Sequence, residues 1–242
     1  MNVVNLELRQ DFAADFEVVT AGLQRDYSGP PYAFVRFADG EAALMRGEHH
    51  RSRSDSWSVS GADVPSVVDG LHLAIQCDLP GWHVGITAAS HHREDHRYLV
   101  RESSSPPSRT SFAELFIFGN YERFRLIDTD HCRVVGAGAR KRLGRRGYHI
   151  PPDAVERDDF DLEPVITWML RGEGPILLAA GPLAKLLAFE YWWTGHWLGV
   201  RREVCIDVGS AIAPRVRGRA TRRYHHPESD LRRHVPTWGS FE

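Results

Sequence analysis

The sequence is poor in cysteine, and long uninterrupted apolar runs are missing. Its three cysteines, Cys77, Cys132 and Cys205, lie far apart and form no CxxC pair, which argues against a disulfide framework and favours a reducing compartment. Nowhere do about 20 apolar residues follow one another without a charge, so no membrane span is predicted. The opening residues lack the basic region and apolar run of a secretory leader. A cytoplasmic protein is therefore expected.

A large net charge is also missing. The formal net charge of −2 argues against a protein that binds nucleic acid through bulk charge, so no specific nucleic-acid partner is expected. With 242 residues, 42% of them hydrophobic, and no internal repeat, we expect a single α/β domain over residues 1–242. The charge is uneven, because residues 201–233 contain nine arginines against four acids. This basic tail, from about residue 211, favours an anionic ligand.

Strand-like and helix-like apolar patterns alternate along the chain. The predicted strands are 32–37, 82–87, 114–119, 132–137, 175–180 and 204–209. The predicted helices are 6–26, 63–77, 120–128, 158–172 and 182–195, with a short helix or basic loop at 140–147. The Ser- and Arg-rich segment 49–63 indicates a long exposed loop. This alternation predicts a mostly parallel sheet with helices on both faces and ligands at the carboxyl ends of its strands.

Two carboxylates follow the first predicted strand, in the segment FVRFADGEAALM. Asp39 and Glu41 are separated by one residue, and both could reach one hard cation such as Mg²⁺ or Mn²⁺, which completes its shell with water and substrate phosphate. Alternatively, Asp39 caps the next helix and Glu41 stabilises its first turn without a metal. Arg36 could contact phosphate or pair with an acid such as Glu41.

A second candidate phosphate site lies in the segment PILLAAGPLAKLLAFEYW. Gly181 and Pro182 follow a predicted buried strand, and Lys185 lies in the first turn of the helix that comes next. Glycine allows a ligand close to the backbone, proline suits a helix start, and the free amides of the first turn favour phosphate. The alternative is an ordinary strand-to-helix turn with a solvated lysine.

Four stretches resemble one known family in the same order. FVRFADGEAALMRGE resembles the RFGDGE signature of GT-D-type glycosyltransferases, although Ala38 stands where glycine is usual. The other three are LFIFGNYERF, ILLAAGPLAKLLAFEYW, and CIDVGSAIAP followed by TRRYHHP, so that the resemblance covers residues 30–226. It implies a Rossmann-like sheet, a UDP-sugar donor, and Mn²⁺ or Mg²⁺ bound by Asp39 and Glu41.

On this basis we expect a metal-dependent glycosyltransferase. It would move a hexose, such as glucose, from a UDP-sugar to a hydroxyl group of a glycan, a glycoprotein or another acceptor. The cation would stabilise the negative charge that develops on the departing UDP. Two alternatives are a metal-dependent hydrolase of nucleotide diphosphates and a non-catalytic module that binds nucleotides or anions.

Further candidate residues lie at predicted strand ends and in the tail. Ser210, Arg222 and Arg223 are expected donor contacts; some family members have histidine at the position of Ser210. Asn120 and Asp207 could recognise the base or ribose of the donor, or serve only in turns and caps. The candidates for the general base that deprotonates the acceptor are Asp207, His225 and His226. The tail is expected to close over a bound ligand and exclude water.

Three other groups of residues have less specific interpretations. The segment SHHREDH would place His92 and His96 on one helix face, but it lacks a third zinc ligand, so a polar loop that contacts donor or acceptor is the alternative. The segment ARKRLGRRG is expected to be a solvated face or an interaction surface. We expect core packing for the aromatic residues Tyr191, Trp192, Trp193 and Trp197.

Overall fold

The computed structural model describes residues 6–52, 57–200, 202–218 and 222–238. Residues 1–5, which bear on the leader prediction, and residues 53–56 and 219–221 of the predicted loop and tail lie outside the described residues. Within the described ranges the strands are β1 (Ala33–Phe37), β2 (His49–Ser52), β3 (Trp57–Ser60), β4 (Trp82–Ile86), β5 (Thr110–Phe112), β6 (Arg133–Gly136), β7 (Gly147–Tyr148), β8 (Ile176–Ala179) and β9 (Cys205–Asp207).

Seven of these strands form one sheet in the order β5-β4-β1-β9-β8-β6-β7, and every neighbouring pair is parallel. The predicted parallel α/β sheet is therefore confirmed. From β1 the chain moves outward through β4 to β5, whereas β6 to β9 occupy the opposite half of the sheet. The boundary between β1 and β9 is consequently the switch point of the topology, where α/β sheets open a crevice at the carboxyl ends of their strands.

The helices connect these strands and cover the sheet. In the described residues they are α1 (Phe12–Thr20), α2 (Asp39–Met45), α3 (Pro65–Ile75), α4 (Arg93–Glu102), α5 (Tyr121–Leu126), α6 (Ala139–Leu143), α7 (Glu163–Arg171), α8 (Leu183–Trp197) and α9 (Ala213–Arg217). Their starts follow ordinary capping chemistry. Asp11 accepts hydrogen bonds from the amides of Ala13 and Ala14, and Pro65 is the first residue of α3. The helix predictions are confirmed with different bounds: α1 is shorter than its predicted range, whereas α8 continues to Trp197, past its predicted end at residue 195.

Two apolar cores lie on opposite faces of the sheet. One contains Leu71 of α3, Val165 of α7 and Leu187 of α8. The other contains Phe16 of α1, Phe124 of α5 and Val216 of α9. Alternate residues of each strand point to alternate faces, so both sides of a parallel strand must be apolar. This two-sided burial explains why the strands are nearly continuous apolar runs in the sequence.

The predicted strand at 114–119 is wrong. The strand in this region is β5, which ends at Phe112, and the apolar run that follows turns away from the sheet. Leu115 and Phe116 are still fully buried, because the turn packs over the core beside α1. Phe118 has a positive φ of 53°, which is uncommon for a bulky residue. Burial of the turn thus gave a strand-like apolar signal without strand geometry.

The predicted exposed loop at 49–63 is also wrong where it is described. Strands β2 and β3 pair antiparallel as a separate two-stranded ribbon. Trp57 and Val59 are buried, while Ser58 between them is exposed. This alternation is that of a strand with one packed face. The high serine and arginine content concealed it, since only two large apolar residues carry the pattern.

Tyr32 gives a test of the buried hydrogen bonds that connect the start of β1 to the end of α1. Its buried hydroxyl donates to the carbonyl of Val19 at 2.7 Å and accepts from the amide of Gly22 at 3.0 Å. Tyr32→Phe should therefore lower the free energy of unfolding by about 1–3 kcal/mol, because two buried backbone groups lose their partner. Tyr27→Phe is the matched control, since the Tyr27 hydroxyl contacts a single carbonyl and lies partly exposed. Equal urea midpoints for the two variants would contradict the prediction.

Candidate active site at the carboxyl edge of the sheet

A cleft of about 650 Å³ opens at the switch point. It lies where β1, β8 and β9 end and where α2 and α8 begin. The predicted residues that line it are Arg36, Asp39, Glu41, Gly181, Pro182, Lys185, Asp207, Ser210, Arg222 and Arg223. Segments far apart in the sequence meet here because parallel strands bring all their carboxyl ends to one edge.

A buried lysine joins the elements around the cleft. Lys185 Nζ lies 2.7 Å from Glu41 Oε1 and 3.0 Å from Asp207 Oδ2, and it also donates to the carbonyl of Gly181 at 3.3 Å. Only 4% of the Lys185 side chain is exposed. The ammonium group therefore links the start of α2, the end of β9 and the turn before α8. The solvated-lysine alternative does not hold.

The two acids of the Asp-x-Glu motif have different environments. Glu41 is buried, and its second oxygen accepts a hydrogen bond from the amide of Ala38 at 3.0 Å, which caps α2. Asp39 is exposed in the cleft wall, and no hydrogen bond or ion pair joins its carboxylate to another described residue. The capping role suggested for Asp39 thus belongs to Glu41. Asp39 is the carboxylate that remains available to a ligand.

Arg36 and Asp207 meet across the boundary between β1 and β9. Arg36 Nη1 donates to the carbonyl of Ala113 at 2.8 Å, and Nη2 lies 3.6 Å from Asp207 Oδ1. The same oxygen accepts from the amide of Gly209 at 2.9 Å. Gly209 has a φ of 51°, and a Cβ at this position would collide with the Arg36 guanidinium. The backbone conformation therefore favours glycine here, and a larger residue would displace the Arg36 guanidinium.

The turn before α8 has a similar requirement. Gly181 has a φ of 58°, a left-handed conformation that disfavours every side chain. A Cβ at Gly181 would lie 3.6 Å from Trp57 Nε1, so the space above this turn faces the β2–β3 ribbon. On the same side of the cleft, the His50 ring contacts the Trp57 ring at a tilt of 39°, with ring centroids 5.2 Å apart. His50 and Trp57 therefore form an aromatic wall that the loop prediction concealed.

Glu114 is another cleft residue that the sequence did not reveal. Its carboxylate accepts from the Thr87 hydroxyl at 2.6 Å and from the amide of Ala88 at 3.1 Å. Burial raises the pKa of Glu114, while these two hydrogen bonds oppose the rise. Its position in the supposed strand at 114–119 gave no hint that it would face the cleft.

The tail packs against the loop that follows β9. Tyr224 is buried and its hydroxyl pairs with Ser210 Oγ, while His225 Nε2 donates to the Ser210 carbonyl at 3.0 Å. His225 Nδ1 accepts from the amide of Arg222 at 3.2 Å, so the imidazole is neutral. Burial lowers the pKa of His225 to about 4. The tail is thus partly a core element, and Trp238 packs on Phe112 with ring centroids 5.3 Å apart.

Three predicted site residues do not line the cleft. The Asn120 side chain donates to the carbonyl of Phe12 at 2.8 Å and accepts from Arg123 at 3.0 Å, which fixes the turn before α5. His225 lies behind Ser210, as described above. Of the three base candidates, His225 holds the tail and Asp207 holds Lys185 and Gly209, while His226 is exposed and does not line the cleft. The structure therefore assigns positioning contacts to His225 and Asp207.

The histidine-rich segment and the aromatic cluster separate into different environments. His96 is buried in α4, where Nδ1 donates to the Thr87 carbonyl at 2.7 Å and the ring packs on Trp238. Trp192 is fully buried, as expected, but Trp193 and Trp197 are 42% and 67% exposed. The core-packing prediction is therefore wrong for these two tryptophans, which lie near the solvent-facing end of α8.

The chemistry of the cleft restricts how a divalent cation fits. Among the described residues, no group of three or more His, Cys, Asp or Glu side chains has the arrangement of a metal site. Glu41 already pairs with the Lys185 ammonium, which competes with a cation at that carboxylate. Asp39 presents oxygens that no described residue contacts, and Mg²⁺ commonly uses one carboxylate together with substrate phosphate and water. The residues therefore fit a cation that binds together with a diphosphate.

Comparisons with known proteins gave two solved structures. One, described as the highly conserved domain of unknown function 1792 with a distinct glycosyltransferase fold, has a TM-score of 0.47 and 16% identity, with 83% of this chain and 82% of that chain covered. The other, a selenomethionine-substituted structure of the same domain, has a TM-score of 0.46 and 17% identity, with 86% of each chain covered. No family model and no curated protein sequence matches the chain.

The sheet and the cleft define the class of this protein. It is an α/β protein with seven parallel strands and a polar cleft at the topological switch point. The cleft combines an internal ion network, an exposed carboxylate and an aromatic wall. No helix in the described part of the chain is both long and apolar enough to cross a membrane.

The different environments of the two acids give a stability test. Glu41→Ala should lower the free energy of unfolding by about 3 kcal/mol, because it removes a cap and one partner of a buried ammonium. Asp39→Ala should change it by no more than about 0.5 kcal/mol, since Asp39 is exposed and unpaired among the described residues. Chemical denaturation of both variants measures the difference. Similar losses in the two proteins would refute the assignment.

His225 gives a test that depends on pH. Because its pKa is lower in the folded protein than in the unfolded chain, its contribution to stability is complete above pH 6.5 and falls as the pH drops toward about 4. His225→Gln keeps a donor for the Ser210 carbonyl but does not titrate. The variant should lose less stability than wild type between these pH values, as measured by urea unfolding. Parallel pH curves would contradict this role for His225.

Proposed function

We propose that the protein is a glycosyltransferase that uses a nucleoside-diphosphate sugar, with UDP as the nucleotide. The observation that carries the proposal is convergence: the RFADGE, AAGPLAK and IDVGSA stretches, and the arginines of TRRYHHP, line the same cleft. Each of these stretches resembles a stretch of one family, and together they supply most of the charged residues and the two glycine turns of this one opening. The cleft volume of about 650 Å³ also suits a ligand of nucleotide-sugar size.

The proposed diphosphate position lies over the start of α8. Pro182 and Lys185 at the start of this 15-residue helix line the cleft, where the positive end of the helix dipole favours an anion, and Gly181 leaves space for a ligand beside them. The positive charge of Lys185 is already balanced by Glu41 and Asp207. Arg223, which is exposed and lines the cleft, is therefore the better candidate for contact with phosphate. Arg223 thus takes the phosphate contact that the sequence suggested for Lys185.

In the proposed reaction, the bond between sugar C1 and the β-phosphate oxygen breaks. A bond forms between C1 and an acceptor hydroxyl oxygen, UDP leaves with the electron pair, and the hydroxyl proton passes to a carboxylate in the cleft. Arg223 and the α8 amides would stabilise the charge that develops on the diphosphate. When bound with the donor, Mn²⁺ or Mg²⁺ held through Asp39 would supply further Lewis-acid stabilisation.

The ion network has a supporting role in this scheme. Lys185, Glu41 and Asp207 fix the ends of β1 and β9 and the starts of α2 and α8 relative to one another. A fixed cleft holds donor and acceptor in reacting geometry, which can account for a large part of a transferase rate. We assign these three residues a positioning role, since none offers an unoccupied charge to the substrate.

The tail also has a role in the proposed transfer. Arg222, Arg223 and Leu231 line the cleft, so the tail forms one of its walls and would help to exclude water from the transferred sugar. The proposed acceptor is a hydroxyl group of a glycan, a glycoprotein or another molecule, and the proposed sugar is a hexose such as glucose. The three cysteines are free and buried, which agrees with the proposed cytoplasmic location of a single domain.

Calorimetry with UDP, with and without Mn²⁺, tests the donor and metal assignments. We expect wild type to bind UDP more tightly when Mn²⁺ is present. With Mn²⁺ present, the Asp39→Asn variant should bind UDP at least about tenfold more weakly than wild type. Asp69→Asn is the matched control, because Asp69 is an exposed acid on α3 outside the cleft. If wild type does not bind UDP, the glycosyltransferase proposal fails. If Asp39→Asn retains the full effect of Mn²⁺, only the metal assignment fails.

A mass-spectrometric screen of UDP-sugars then separates the possible reactions. Release of UDP together with a glycosylated acceptor supports the transferase. Release of UMP or free phosphate indicates the hydrolase. UDP binding without turnover of any UDP-sugar, and with strong dependence on salt, indicates a binding module.

A further inference from the structure

A cluster of basic residues adjoins the cleft but is separate from it. The α6 basic surface consists of Arg140, Lys141, Arg142, Arg145 and Arg146, in helix α6 and the turn that follows it. Arg140, Lys141, Arg142 and Arg145 are exposed, and none of the five lines the cleft. The surface is therefore not part of the proposed donor site.

The charges of the α6 basic surface have no acidic partner within the described part of the chain. No ion pair there involves any of the five residues, whereas Arg25, Arg46 and Arg157 each pair with an acid. The elements packed against α6 are β6, β7 and α9, and none of them contains an aspartate or a glutamate. Five positive charges thus lie close together without an ion-pair partner among the described residues, an arrangement that attracts anions.

The surface borders the mouth of the cleft on the side of β6 and β7. The segment that carries it is flanked by Ala137 and Ile150, both of which line the cleft. The Arg142 guanidinium also lies against Gly218, directly after α9, and Arg217 at the end of α9 lines the cleft. An extended ligand that leaves the cleft on this side would therefore pass over the α6 basic surface.

We propose that the α6 basic surface binds phosphate groups of the acceptor. This inference rests on the proposed transferase function and adds the chemical class of the acceptor: a hydroxyl-bearing molecule with phosphates beside the reacting sugar. The donor diphosphate is assigned to the start of α8, inside the cleft, so a second group of cations outside the mouth suits the other substrate. Four of the five cations are arginines, whose planar forks bind phosphate oxygens in pairs.

The test uses a short fluorescent inorganic polyphosphate as the probe, with binding followed by anisotropy. The triple variant R140E/K141E/R142E should bind it at least about tenfold more weakly than wild type, a loss equivalent to one charge-assisted hydrogen bond. The variant R93E/R97E/R101E reverses the same number of charges on α4, none of which lines the cleft or belongs to the α6 basic surface, and should bind like wild type. Should the α6 triple variant fail to fold, R140E/R145E replaces it.

Three results would overturn the inference. The first is equal affinity of the α6 and α4 variants for polyphosphate. The second is tighter binding of wild type to an RNA oligonucleotide than to polyphosphate, and the third is tighter binding to phosphatidylglycerol vesicles; these would identify a nucleic acid or a membrane as the partner. Calorimetry with UDP on all proteins separates the two proposals: absent UDP binding removes the transferase function, whereas unchanged UDP affinity with unchanged polyphosphate affinity removes only the acceptor surface.

Discussion

The arrangement of this cleft depends on one buried ammonium group. Lys185 contacts Glu41 from the start of α2, Asp207 from the end of β9 and the carbonyl of Gly181 in its own turn. A buried lysine needs such partners, because an unpaired charge inside a protein is costly. The three contacts in turn fix three chain segments at the point where the sheet reverses its strand order. Donor recognition, as proposed, uses the surfaces that this arrangement leaves free.

The network divides the charged residues into two groups. One group consists of buried or nearly buried charges that largely neutralise one another: Glu41, Asp207, Lys185 and Arg36. These residues are suited to fix the geometry of the cleft. Asp39 and Arg223 are exposed in the cleft without described ion-pair partners, which suits them to meet a ligand. This division is a physical reason to separate positioning residues from binding residues at one site. It also explains why the two acids of a single tripeptide motif have different roles.

Much of the fold could be predicted from the sequence, because a doubly covered parallel sheet leaves a strong periodic signal. Strands such as β4 and β8 and helices such as α3 and α8 were predicted from apolar pattern and turn residues alone. The prediction failed where a buried segment is not a strand and where a strand contains few apolar residues. The apolar sequence of the buried turn after β5 is typical of a strand. The sequence of the β2–β3 ribbon, with two large apolar residues among serines and arginines, is typical of a loop.

The sequence by itself determined the alternation of elements, the parallel sheet and the sheet edge where the chemistry would lie, since these follow from local periodicity and topology rules. Ten of the site residues that it identified line the cleft, because strand ends can be located one segment at a time. Only the tertiary structure decided how these residues pair. Lys185 contacts a glutamate that is 144 positions away in the sequence. Glu114, His50 and Trp57 line the cleft because the turn after β5 and the β2–β3 ribbon fold beside it. Such contacts depend on distances of a few ångströms between segments, which no local pattern encodes.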